Sequence, residues 1–192
     1  MNFDRYNNEK VLVNALIEGD EGAYRYVIRM YREPVIRLCR GFTGSFEDAE
    51  DLAQDIFLEV IRSVGKFRSQ STVSTWIYRI AVNKSLNYIR DNKKRNYDKF
   101  GRGDEESFRG GDDYDADSPL VNKEHAEALH NALNKLPEAQ RTAFILSKYE
   151  DLRYSEIADI MRTSISSVES LLFRAKRNLQ DKLREYYEKN LS

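Results

Sequence analysis

The feature that most constrains this 192-residue chain is a central stretch that cannot build a core. Residues 101–118 read GRGDEESFRGGDDYDADS, with no Val, Ile, Leu or Met and four of the nine glycines. So little apolar surface cannot offset the entropy of ordering the backbone. Residues 101–122 hold 2 basic and 7 acidic side chains, a net of −5. The expectation is a flexible acidic linker over 99–118 that joins two small domains, 1–98 and 119–192. The alternative is a long surface loop within one domain.

Both flanks read as helices, so the expected fold class is all-α. Phe46, Ala49, Leu52, Ala53, Ile56, Phe57, Val60, Ile61 and Val64 follow the three-four spacing of an amphipathic helix. A similar pattern covers 20–40, with Pro34 expected to bend or end that helix. Residues 72–95 form a third helix, set off by Gly65 and the polar stretch 68–71. Beyond the linker, Ser118 and Pro119 read as a cap and first-turn proline. Pro137 opens the next helix, a short one follows at 155–161, and a turn at 162–165 leads into a long last helix. Ser166 and Glu169 fit an S-x-x-E capping box at its start.

Several function classes are excluded early. The net charge is −1, so the chain lacks the overall positive excess of a simple nucleic-acid binder. The lone cysteine, Cys39, excludes an internal disulfide framework. No apolar run approaches about 18 residues, so no membrane insertion is expected. The start, MNFDRYNNEK, lacks a basic and then apolar leader, which points to the cytoplasm. His125 and His130 are five apart on one helix, no Gly-rich phosphate loop is present, and no nucleophile–base set can be assembled. No catalytic residue, metal or cofactor is expected.

Three helix faces then need explaining. The helix at 47–59 carries Glu47, Asp48, Glu50, Asp51, Asp55 and Glu59 with no cation. Helix-dipole preference accounts for the acids of the first turns but poorly for Asp55 and Glu59. A docking face for a basic protein is the other reading. On the helix at 72–95, Trp76, Arg79, Asn83, Asn87, Arg90 and Lys94 share one face, and residues 76–99 carry a net of +5. Cations suit phosphates, amides suit base edges, and an aromatic can stack on an unpaired base. A core tryptophan beside a solvated basic face is the alternative. In the last helix, Val168, Leu172, Ala175, Leu179 and Leu183 fall on one side and Ser170, Phe173, Arg174 and Arg177 on the other. After a tight turn, this pattern suits a helix-turn-helix in a major groove, or a helix of an interaction bundle.

In this order and spacing, the three faces resemble the ECF (extracytoplasmic function) sigma factors of bacterial RNA polymerase. DAEDLAQDIFLEVIRSVGKFR, from Asp48, is similar to the family's polymerase-docking helix. STWIYRIAVNKSLNYIRDNKKR, from Ser74, resembles its minus-ten segment, and the stretch from Leu136 onward its region-four helix-turn-helix. The resemblance implies two domains, sigma regions 2 and 4. Asp48, Asp51, Gln54, Asp55 and Phe57 would bind the polymerase beta-prime clamp, with region 4 at the beta flap. Trp76, Arg79, Asn83 and Asn87 would meet the opened minus-ten strand, with Arg90, Lys93, Lys94 and Arg95 on its backbone. Ser167, Ser170, Phe173, Arg174 and Arg177 would face the minus-thirty-five groove. The implied partners are core RNA polymerase, promoter DNA and an anti-sigma factor. Where the family often has Thr-Val-Lys-Ser-Arg, this chain has Ser167-Val168-Glu169-Ser170-Leu171, so two usual cations are missing. The rivals are a polymerase-independent helix-turn-helix regulator and a helical adaptor with no DNA role.

Overall fold

The computed structural model describes residues 4–100 and 120–190. Among them the regular structure is helical, with no strand. Most helix starts follow from a short polar side chain that accepts otherwise orphaned backbone N–H groups. Asn8 caps α1 (Glu9–Ile17) through Lys10 N and Val11 N at 3.1 and 3.3 Å. Asp20 caps α2 (Glu21–Thr43) through Gly22 N at 2.7 Å, and Ser45 caps α3 (Phe46–Ser63) through Asp48 N at 3.3 Å. Thr72 accepts from Thr75 N at 3.1 Å where α4 (Val73–Phe100) begins. Pro34 does not end α2. Its missing N–H removes a single rung, and the next turns are anchored by buried Val35, Ile36, Leu38 and Cys39.

Helices α2, α3 and α4 pack on one another, with α1 against α2. After the linker come α5 (Leu120–Asn134), α6 (Glu138–Tyr149), α7 (Tyr154–Met161) and α8 (Ile165–Asn190), with α5, α6 and α7 all resting on α8. Helix α4 takes in the first two residues of the expected linker; the rest of it, with the Ser118–Pro119 cap, lies outside the described residues. The start of α8 differs from the capping-box expectation. Ser164 rather than Ser166 accepts from the helix backbone, taking Ser167 N at 3.1 Å, and Glu169 is exposed. The reciprocal bond occurs instead at α7, where Arg153 N donates to Glu156 at 2.8 Å.

The two helical units do not stand apart. Helix α6 lies on α2, and α7 lies on α4. Ile145, Leu146, Ile157 and Val168 of the second unit belong to the same buried cluster as Val35, Phe42, Ile56 and Ile77 of the first. Each fully buried aliphatic side chain contributes about 1.5–3 kcal/mol, so this contact resembles a core more than a wet surface. A second, smaller cluster of Ala132, Leu133, Leu136, Ala175 and Leu179 holds α5 to α8.

Candidate nucleic-acid interface and docking groove

The acidic helix α3 flanks an apolar groove. Ile28, Arg32 and Ile36 of α2 face Ala53, Gln54, Phe57, Leu58 and Ile61 of α3 across a cleft of about 370 Å³. Asp51, Gln54 and Asp55 are exposed, while Phe57 is buried except for its share of the groove wall. Asp48 is placed apart. It turns toward α4 and hydrogen-bonds Tyr88, whose hydroxyl is pushed up to about 12 by burial and by that carboxylate. The sequence pattern missed Ile28, Leu58 and Ile61, which are 38%, 48% and 39% exposed. Periodicity assigns Ile61 to the core stripe and leaves Leu58 off it, and only the helix pairing shows that both line an open groove with Ile28. Arg32 bridges the two helices by pairing with Glu50 at 2.8 Å.

The face predicted on α4 is engaged at Trp76, Arg79 and Arg90 and open elsewhere. Trp76 is half-buried, its ring 5.0 Å from that of Phe67. Arg79 donates to the backbone carbonyl of Asp159 in the last turn of α7, at 2.7 and 3.3 Å from two nitrogens. Arg90 makes a forked pair with Glu138 of α6, both bonds 3.2 Å, and Glu138 is held below the usual carboxylate range mainly by that bond. Between these ties lies a cavity of about 360 Å³, lined by Arg79, Asn83 and Leu86 on one side and Glu138, Met161 and Arg162 on the other. Asn83, Asn87, Lys93, Lys94 and Arg95 are exposed.

The face predicted on α8 is open. Val168, Leu172, Ala175 and Leu179 are buried, as the helical wheel required, and Leu183 is half-buried. Opposite them Ser170, Arg174 and Arg177 are exposed, and Phe173 is 70% exposed. Arg174 folds back onto the carbonyl of Ser170 at 3.1 Å. Ser167 is half-buried and bonded to Ser164, so it sits at the edge of the face.

The seam between the units contains buried polar groups. Glu150, its side chain 1% exposed, accepts from Tyr78 at 2.9 Å and from Arg37 at 3.2 Å. Its other carboxyl oxygen is buried without a partner, and burial pushes the acid up. Arg141 is 2% exposed, lies over the Phe42 ring at 5.7 Å and donates to Asn134. His130 is pressed against Gly44, and burial lowers its pKa to about 4. Among the described residues no group of His, Cys, Asp or Glu is placed to hold a metal. No helix there is long and apolar enough to cross a membrane.

Comparison with known proteins identifies the family of both helical units. A model of Sigma-70 region 2 matches residues 27–95, and one of Sigma-70 region 4 matches residues 126–179. The RNA polymerase sigma-H factor of Pseudomonas aeruginosa is 32% identical over 186 residues, covering 92% of this chain and 96% of the relative. The ECF RNA polymerase sigma-E factor of Haemophilus influenzae is 31% identical over 180 residues, covering 91% and 95%. Among solved structures, CnrH in complex with the cytosolic domain of CnrY matches with a TM-score of 0.65 at 19% identity, over 92% of this chain and 97% of that one. At that identity the likeness speaks for the fold. The chain therefore belongs to the ECF RNA polymerase sigma factors. It acts in promoter-specific transcription initiation and is not an enzyme.

Proposed function

We propose that the three faces divide the work of initiation as their chemistry suggests. The α2–α3 groove, lined by Gln54 and Phe57, docks with exposed Asp51 and Asp55 of the same helix on a basic clamp of core polymerase. Charge steers the encounter and the groove's apolar side chains hold it. Trp76, Arg79, Asn83 and Asn87 meet the opened minus-ten strand, and Arg90, Lys93, Lys94 and Arg95 hold its backbone. Ser170, Phe173, Arg174 and Arg177 read the minus-thirty-five groove, with Ser167 at the margin. The working boundaries are residues 1–98 for region 2, 99–118 for the linker and 119–192 for region 4, whose partner on the polymerase is the beta flap. On this reading the protein works in the cytoplasm with core polymerase.

The observation that carries the reading is the apolar groove between α2 and α3, with Gln54 in its lining and exposed Asp51 and Asp55 on the same helix. Run-off transcription with core polymerase, with and without the protein, tests it. A promoter-specific transcript should need the protein and vanish with Asp55→Arg. Transcription indifferent to that change would exclude the docking assignment. CnrH was solved with the cytosolic domain of CnrY, and an RpoE of Bartonella quintana with the anti-sigma factor NepR, at TM-scores of 0.65 and 0.63. An anti-sigma factor that covers the groove is the corresponding partner here.

A further inference from the structure

We propose that Glu169 selects a cytosine in the minus-thirty-five element, its carboxylate accepting a hydrogen bond from the cytosine N4 amino group in the major groove. This rests on the assignment of α8 above and names one base that the helix reads.

The fold does not account for Glu169. Ser164 takes the cap at the start of α8, its hydroxyl accepting from Ser167 N and its carbonyl from Val168 N, both at 3.1 Å. Glu169 lies beyond the first turn, where the helix dipole no longer favours an acid. The residues three and four away on either side are Ile165, Ser166, Leu172 and Phe173, so no cation stands at pairing distance along the helix. The side chain is exposed, and among the described residues no hydrogen bond or ion pair holds it.

Its position suits DNA instead. Glu169 is in the second turn of α8, and the N-terminal turns of a recognition helix are those that reach base edges. On the helical wheel it borders the exposed side beside Phe173, one turn on, whose 70% exposed ring offers it no hydrogen bond. A carboxylate brought up to a duplex is repelled by the phosphates. That repulsion is offset only where a base edge donates to the acid. In the major groove guanine offers two acceptors, thymine an acceptor and a methyl group, and adenine a donor beside the N7 acceptor. Cytosine alone offers a donor with no acceptor next to it. A carboxylate, which only accepts, therefore favours cytosine and rejects guanine. A lysine at this position, which only donates, would have the reverse preference.

The test uses holoenzyme formed from the host's core polymerase and full-length wild type, Glu169→Gln, Glu169→Lys or Arg174→Ala, each checked for unchanged thermal unfolding. A promoter transcribed by the wild-type holoenzyme is isolated from fragments of the host's genomic DNA. Each position of its upstream element is then changed to all four bases, and binding of these duplexes is measured at fixed salt. Wild type should prefer cytosine about tenfold over the other bases at one position of one strand. Glu169→Gln should move that preference to adenine, whose N6 and N7 suit an amide, and Glu169→Lys should move it to guanine. The other positions should keep their preferences, a pattern that a merely structural role would not produce. Coincident profiles for wild type and both Glu169 variants overturn the proposal. So does a uniform gain in affinity with Glu169→Lys and no change of preference, which marks an effect on phosphates alone. Arg174→Ala separates the two claims. If it weakens binding while the Glu169 variants keep the wild-type profile, the cytosine assignment fails and the reading of α8 stands. If Arg174→Ala and both Glu169 variants leave binding untouched, the reading of α8 has itself failed.

Discussion

The two helices proposed to meet DNA differ in how far the rest of the chain engages them. Helix α8 turns one side into its own domain and leaves Ser170, Phe173, Arg174 and Arg177 open. Helix α4 carries the more basic face, yet two of its cations, Arg79 and Arg90, end on region 4 groups. A polar, cationic stripe on a helix therefore does not reveal whether it is available. It shows which ligand chemistry suits it, and that chemistry can be met by another part of the same chain.

Substitutions at the seam and on the open face should differ sharply in kind. The largest effect is expected from Phe42→Ala, which removes a 1% exposed ring from the shared core and the surface under Arg141. Chemical denaturation should show a loss of about 3–5 kcal/mol. Phe173→Ala, on the open face, should change stability by less than about 0.5 kcal/mol.

The next effect is pH-dependent. In the folded chain His130 is buried and depressed to about 4, against 6.5 in water. Its contribution to stability is present above pH 6.5 and is lost as pH falls from there toward 4. Between pH 7 and 5 that loss is about 2 kcal/mol. Glu150 acts in the opposite sense, because its raised pKa means that stability weakens as pH rises through it. Stability profiles of wild type and His130→Asn, taken as a difference, isolate the histidine. Equal profiles would mean that His130 does not sense the seam.

A smaller change should follow Arg174→Ala, about tenfold weaker binding of the holoenzyme to duplex minus-thirty-five DNA at fixed salt. Folding should be unaffected, since Arg174 is exposed. The smallest effect belongs to Glu138→Ala, no more than about 1 kcal/mol in stability, because its pair with Arg90 is half in water.

Much of this was legible in the residues, for identifiable reasons. The wheel of α8 separated Val168, Leu172, Ala175 and Leu179 from Ser170, Phe173, Arg174 and Arg177 because that helix has one dry side and one wet side. Periodicity failed where a helix meets two neighbours. Trp76 and Arg79 lie on the polar side of α4 yet are half-buried, Trp76 beside the Phe67 ring and Arg79 against α7, which arrives from far along the chain. Asp48 belonged to the acidic run by composition but turns toward Tyr88. Helix α1 went unread because nine residues carry too short a pattern, although Asn8 is a clear cap. Pro34 signalled a break that the buried turns after it prevent. Nothing in the sequence pattern marks the glycines at 41 and 44, and only packing shows that they admit Ile145 and His130.

The central claim is that the α2–α3 groove docks on core polymerase. Retention of core polymerase on immobilised wild type and on Asp55→Arg measures it directly. Capture by wild type and its loss with Asp55→Arg is the predicted result. Equal capture by both, or by neither, would contradict the account.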